Sequence, residues 1–585
     1  MKTRQGQSVI TSAKTISPSI LAAAIIAAST LSTSAIARGP DLPVELLGGS
    51  LTVDGLAKDG AEYQLEYGNS LFLDLGLTGL GFAGEMTLNA MTKSSDSDIY
   101  FKYGDRLKAR NYTNGGDNVE VFNFMASNIG DEYDINLFYH VPRYHWGDEG
   151  DAFGLMRETT DMAEQDIWND KAPEGVEFVG KGSLSGLKVV GGDQIYWGAE
   201  PMVMLKYQFG DKKQYSFIAA TSDRTDGLGN DQQFSLQGKV GLSDTSTLDF
   251  GILRSGAEKV GQTFRYDDGS HVYSDSVGAM DAIALKARVT EKFSGGVSAY
   301  AEFNHAGLVA DAGEHQEIWT TGLPHSELGN KRTLEIGGEI IRGNWMFKPR
   351  AFARRNLVDA LSPAGQAFLG KKVTRSITTS ETILVSPFSV TSNREANALE
   401  LFATFDTTPN TYFYEWDNYL REDAPVAFNI GLTHIDFKGK TDSNIMDFDT
   451  GAFPDAGRGA ERVTKVEGRL VLNPSDSYRL NMNFNIGKKQ PVFSDVAVSD
   501  FASFDGTVVH ASKNIYHFKL ARDAYGEYDF QEEQGISYPL QAVLGYERIL
   551  DLGDGDSRIG VKGTKRRNDG AANESEVRAY VTYSF

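Results

Sequence analysis

The sequence predicts an all-β fold in which antiparallel strands, joined in up-and-down order, close into a transmembrane β-barrel. Three observations carry this. Apolar and polar residues alternate with period two from about residue 60 onward; the links between alternating runs are either short turns or long polar stretches; and past the N-terminus no stretch is apolar and long enough for a membrane helix.

Bulk composition hides such a fold. Of 585 residues 41% are hydrophobic, and the mean hydropathy is −0.33, as in a soluble protein. A membrane strand, however, needs an apolar residue only at alternate positions. The 25 Tyr, 33 Phe and 62 Gly suit aromatic girdles and tight turns. A net charge of −22 lacks the basic footprint of a nucleic-acid binder, so no nucleic-acid partner is expected. With no cysteine, disulfides, thiolate metal sites and cysteine nucleophiles are excluded.

Lys2, Arg4 and Lys14 precede a short apolar run, Ile20 to Ala28, and the small-residue pattern Ala35-Ile36-Ala37 follows. That order is a cleavable signal peptide over residues 1–37, cut before Arg38; the apolar run is below the roughly 18 residues a membrane helix needs. Residues 38–60 are too few for a plug domain and are expected to be a short periplasmic N-terminal segment, with the barrel over 61–585.

Alternation is clearest at Tyr478, Leu480, Met482, Phe484 and Ile486, with Arg479, Asn481, Asn483 and Asn485 between them. The scheme recurs at 133–139, 203–209, 234–240, 248–252, 297–303, 334–340, 345–354, 399–405, 412–416, 428–432, 540–546 and 577–585. Short links include Gly210-Asp211-Lys212-Lys213, Ser294-Gly295-Gly296, Arg342-Gly343-Asn344, Asn473-Pro474-Ser475-Asp476 and Gly553 to Asp556. Long links lie around 142–180, 255–279, 306–330, 356–394, 438–460 and 488–511. Tight turns at one end and long loops at the other are the asymmetry of outer-membrane barrels. The boundaries give about 20 strands, roughly 18–24, and an even number. Residues 98–126 and 356–394 read equally as strand or ordered loop.

The last run, Val577 to Phe585 with Tyr583 and Phe585 at its end, resembles the terminal strand of Gram-negative outer-membrane β-barrel proteins of the large porin and substrate-channel type. The resemblance implies a strand that is read by the barrel-assembly machinery and closes the barrel, and a surface in outer-membrane lipid and lipopolysaccharide. Gly191 to Gly198, followed by a strand through Tyr207, is faintly similar to a strand-pair motif of alginate-export-type barrels. The arginines of that motif are missing, so no residue role is carried over.

If the apolar set faces lipid, the alternate set faces the pore. Trp345, Phe347, Ala351 and Ala353 then point out, and Lys348, Arg350 and Arg354 form a basic ladder inside. The same rule puts Lys206, Lys239, Lys286, Arg288, Lys465, Arg469, Arg479, Lys519, Arg558, Lys562 and Arg578 on the pore wall. It adds the acids Glu302, Glu335, Glu339, Glu400, Glu415, Asp417, Glu467, Glu547 and Glu576, and the rings Tyr300, Phe413 and Tyr419. Rings of bases favour anions, whereas paired acids and bases merely stabilise the sheet and keep the pore wet. Acidic loops such as Asp267-Asp268-Gly269 and Asp551 to Asp556 lack a full calcium-loop spacing and read as solvated charge, so no metal and no cofactor is expected. His140, His145, His305, His434 and His517 lie near strands, yet no Ser-His or Asp-His motif accompanies them. The expectation is therefore a non-enzymatic outer-membrane channel for polar or anionic solutes, saccharides among them. A barrel-borne hydrolase and a surface-exposed, adhesin-like barrel are the alternatives.

Overall fold

The structure, a computed structural model, describes residues 44–60, 62–94, 99, 101–103, 106–108, 118–139, 150–153, 155, 174–193, 199–224, 230–257, 260–261, 263–267, 272–310, 331–357, 395–407, 424–437, 462–475, 477–489, 499–524, 538–552, 557–567 and 572–585. Its strands are β1 (Val44–Asp59), β2 (Tyr63–Gly79), β3 (Phe82–Lys93), β4 (Phe101–Tyr103), β5 (Arg106–Lys108), β6 (Asn118–Ile129), β7 (Tyr133–Tyr139), β8 (Glu174–Gly180), β9 (Leu187–Asp193) and β10 (Ala199–Phe209). Next come β11 (Tyr215–Arg224), β12 (Asn230–Gly241), β13 (Ser246–Arg254), β14 (Thr263–Asp267), β15 (Val272–Ser276), β16 (Ile283–Phe293), β17 (Val297–Ala306), β18 (Lys331–Arg342) and β19 (Trp345–Asn356). The remainder are β20 (Ala396–Asp406), β21 (Val426–Phe437), β22 (Arg462–Ser475), β23 (Tyr478–Lys489), β24 (Ser499–His510), β25 (Asn514–Ala524), β26 (Tyr538–Ile549), β27 (Arg558–Arg567) and β28 (Glu574–Ser584).

Twenty-four of these form one sheet. Each pairs antiparallel with its neighbours in the chain, and β28 pairs back onto β1 over Ser50↔Ser584 to Asp59↔Ser575. The sheet is thus a closed up-and-down barrel with no free edge. The strand pairs β4–β5 and β14–β15 are separate hairpins within the links β3–β6 and β13–β16.

The barrel turns its apolar side outward. Leu399 is 62% and Leu544 is 73% exposed, while their chain neighbours Ala398, Glu400 and Val543 are buried. Such a surface is solvated by lipid, and a closed barrel satisfies its backbone hydrogen bonds internally, as the bilayer demands. At the end where β18 turns into β19, aromatic rings cluster on this outer face. Trp345 stacks on Phe347 at 5.7 Å and meets Phe405 and Phe428 edge-on at 5.2 Å. Tyr207–Phe209, Tyr516–Tyr546 and Tyr583–Phe585 continue the girdle beside other short turns. At the tight link 294–296, Gly295 and Gly296 have φ of 78° and 72°, which only glycine adopts freely.

The seam closes on the predicted terminal residues. Phe585 exchanges backbone hydrogen bonds with Gly49 at 2.9 and 3.0 Å. A Cβ at Gly49 would collide with the Phe72 carbonyl oxygen and lie 2.9 Å from the Phe585 ring.

Three expectations need correction. The strand number is 24, at the upper bound, because β8 and β24 lie inside stretches read as loop and most of β6 lies in one left open. Residues 44–59 are not a periplasmic segment but the first barrel strand; glycines at 48, 49 and 55 interrupt its alternation. Long and short links do not alternate strictly either: 60–62 is short at the long-loop end, and 407–425 is long at the short-turn end. Residues 1–37, the run at 412–416 and the inner-wall candidates Phe413, Glu415, Asp417 and Tyr419 lie outside the described residues.

Candidate functional site

The site is the inner wall, and β19 sets its parity. Met346, Phe352 and Arg354 are buried on one face. Lys348 and Arg350 share that face by strand period, and Trp345 and Phe347 lie on the other, in the outer aromatic cluster. Lys348, Arg350 and Arg354 thus share one face of β19 with the buried Met346 and Phe352.

The structure adds that the basic ladder is matched by acids. Arg350 donates to Glu400 at 2.6 Å and lies 3.7 Å from Glu335. Lys348 approaches Glu339 at 3.9 Å. On the adjoining strands Tyr300 donates to Glu335 at 2.5 Å, and the Arg288 guanidinium lies 3.7 Å above the Tyr300 ring. Glu302 then meets Arg288 at 3.6 Å and Lys286 at 3.5 Å. Beyond Glu400 the row continues through Thr433, which donates to it at 3.4 Å, to Lys465–Glu467 at 2.7 Å. Register explains the assembly: Arg288, Glu302 and Glu335 are direct cross-strand partners, as are Arg350, Glu400, Thr433 and Lys465. Strands β16 to β22 therefore carry one continuous belt in which each of these bases meets at least one acid.

The belt extends around the wall. Arg469 donates to Asn481 at 3.0 Å, and Asn483 to Asp505 at 2.9 Å. Glu547 gathers His517 at 3.4 Å, Arg558 at 3.3 Å and the Tyr580 hydroxyl. Arg566 bridges Glu574 and Glu576, and across the seam Arg578 donates to the buried Asp54 at 2.6 Å. Lys239 pairs with Asp249 at 3.3 Å, Lys206 is buried, and Arg479, Lys519 and Lys562 occupy inner-face positions of their strands.

Sequence reasoning missed an occupant of the lumen. The tip of the link between β7 and β8 folds inside: Ser216 donates to the Gly150 carbonyl, the Ala152 amide to Gln237, and Lys286 to the Ala152 carbonyl at 3.1 Å. Phe153 and Leu155 are wholly buried there with Val190, Met204, Ile218, Leu253 and Ala284. Gly251 leaves room for the ring, since a Cβ would lie 2.6 Å from it. A signal was present. Val189-Val190, Val203-Met204-Leu205 and Ile252-Leu253 break the alternation by being apolar on both faces, and Ala152-Phe153-Gly154-Leu155 is an apolar island in a polar link.

Of the histidines, His305 and His434 stand on the outer face, the latter 2.7 Å from Thr464. His517 faces inward, 3.2 Å from Thr507. His140 and His145 lie outside the described residues. Among the described residues no group of three or more His, Cys, Asp or Glu is placed to hold a metal ion. Asp551 is ion-paired with Lys513, and only residues 191–193 of the Gly191–Gly198 motif are described, in β9.

No protein-family model matches the chain, and no curated protein does. Among solved structures the chain is similar to a BenF-like porin from Pseudomonas fluorescens Pf-5, with 8% identity, 93% of this chain and 99% of that one covered, and a TM-score of 0.27. It is also similar to OccK8 (OprE) of Pseudomonas aeruginosa, with 10% identity over 92% and 98% and a TM-score of 0.26. The P pilus usher PapC translocation pore matches with 9% identity over 92% and 99% and a TM-score of 0.34. Independently of these likenesses, the strand pairing and outward apolar face make the chain a closed 24-stranded transmembrane barrel of the outer-membrane type.

Proposed function

We propose that this barrel is a passive channel for small polar solutes, anionic or polyhydroxylated, with saccharides among them. The observation that carries the reading is the lumen belt from Lys286 to Glu467, where acids and bases pair side by side along the wall. Opposed charges orient a polar solute, while their balance keeps the wall from rejecting either sign outright. The inserted tip packs against the wall beside Lys286, with Phe153 and Leu155 buried in it, and so takes up part of the lumen there. None of these contacts requires covalent chemistry, and the reading is non-enzymatic.

Single-channel recording of the refolded full chain in planar bilayers tests it. A steady ohmic conductance is expected, and the reversal potential in a salt gradient reports the sign preference. Absence of conductance from both the parent protein and a Phe153→Ala, Leu155→Ala variant would rule out the channel and leave the surface-protein reading. Hydrolysis of an ester or peptide substrate that is lost in His517→Ala would instead favour the hydrolase.

A further inference from the structure

The outer face turns basic at the rim carrying the long loops. Arg254 follows Ile252, Arg332 precedes Leu334, Arg355 follows Ala353, Arg522 follows Leu520, and Lys565 and Arg567 follow Val561. All six are exposed, and the strand period sets them on the lipid-facing side.

Two of them stand directly opposite each other, Arg332 on β18 and Arg355 on β19. Like charges in that position destabilise a sheet. Arg332 donates to His305 Nδ1 at 3.3 Å, and Arg355 to Asn397 Oδ1 at 2.8 Å and to the carbonyls of Ala396 and Arg354. Among the described residues neither has a carboxylate partner. This departs from the lumen, where base meets acid, and from the same rim at Arg462, which pairs with Asp436 at 2.8 Å. Immediately below, Leu334, Ile336, Leu399 and Leu401 form an exposed apolar surface continuous with the lipid-facing band.

Two forked cations above an apolar wall, at the boundary between lipid and water, match an anionic headgroup whose acyl chains lie along the barrel. Guanidinium groups bind phosphate oxygens in paired hydrogen bonds. We propose that Arg332 and Arg355, flanked by His305 and Asn397, bind a phosphate of an outer-leaflet glycolipid such as the lipid moiety of lipopolysaccharide. The seated lipid relieves the repulsion between the two arginines and anchors this sector of the barrel.

The test uses the refolded full chain in nonionic detergent, with native mass spectrometry reading bound lipid. It is titrated with diphosphorylated lipid A, with the same lipid after phosphatase treatment, and with inorganic phosphate. Diphosphorylated lipid is expected to bind, and the variant Arg332→Gln, Arg355→Gln to bind it about tenfold or more weakly, the size of one lost charged contact. Arg332→Lys, Arg355→Lys should retain part of the affinity, and Arg522→Gln, Arg567→Gln should retain this site. Equal affinity of the parent and the Gln variant would overturn the proposal, as would equal binding of the dephosphorylated lipid or displacement by inorganic phosphate. Should the Gln variant fail to fold, the parent and the Lys variant measured on the two lipid forms still decide the matter.

Discussion

Arg350 holds two carboxylates in place from a single position. Its side chain is 21% exposed and that of Glu400 only 2%, so removing the arginine leaves a buried charge without its counterion. Arg350→Gln is expected to cost about 3–5 kcal/mol of stability, read as a lower urea midpoint for loss of the folded band on unboiled gels. Adding Glu400→Gln should restore most of the loss. If the double variant is as unstable as the single one, the pair is not what holds this part of the wall. Lys348 is different, being partly exposed and 3.9 Å from Glu339. Lys348→Gln should fold like the parent and move the reversal potential toward cations, because one fixed positive charge leaves the pore. The sequence alone makes Lys348, Arg350 and Arg354 equivalent selectivity residues. Their partners make only the first freely exchangeable.

For the strand as an element, facing decides phenotype. Ala351 points to lipid on β19, opposite Leu399. Ala351→Arg would set a charge in the apolar band at about 2–4 kcal/mol near the midplane, and should reduce the heat-modifiable, membrane-inserted fraction. Normal insertion would reverse the facing of the strand and of the belt built on it. The inserted loop tip is a second element with its own stability, tied to the wall by contacts of Phe153, Leu155 and Lys286. Phe153→Ala costs about 3–5 kcal/mol of local packing, which releases the tip without touching the strand ladder. Higher single-channel conductance with an unchanged folded fraction is the expected pair of results. Unchanged conductance would remove the tip from the permeation path.

At the scale of the whole barrel, one seam joins the two ends of the sheet. It is held by the β1–β28 ladder, by Arg578–Asp54 on the inside, by Thr52–Thr582 at 2.9 Å, and by Phe585 against Gly49. Removing Phe585 should therefore lower assembly more than removing Asp267, which ends β14 in a hairpin outside the barrel sheet. Gly49→Val should resemble the first, since its side chain has no space beside Phe72 and Phe585. Yields of heat-modifiable protein from the three variants give the comparison, and equal yields would show that the seam does not limit assembly.

The sequence by itself determined the class of fold and the facing of most strands. Both follow from a local rule, that successive side chains on a strand point to opposite faces, and the lipid makes the outer set apolar. Lys348, Arg350, Glu335 and Glu400 read as inner-wall positions for that reason, and Phe585 as a closing residue from the resemblance of its strand to outer-membrane terminal strands. The strands that escaped, β1, β8 and β24, are those where glycine or polar residues blur the alternation, as at Gly48-Gly49 or Ser503 to Thr507. Only the tertiary structure decided which inner residues meet. The Arg350–Glu400 contact joins strands separated by a long link, and its register depends on hydrogen bonds distributed along both strands. The loop tip inside the lumen and the Arg332–Arg355 pair outside it were decided the same way. Each depends on strand register or on packing against the wall, and period two says which way a side chain points but not what it faces.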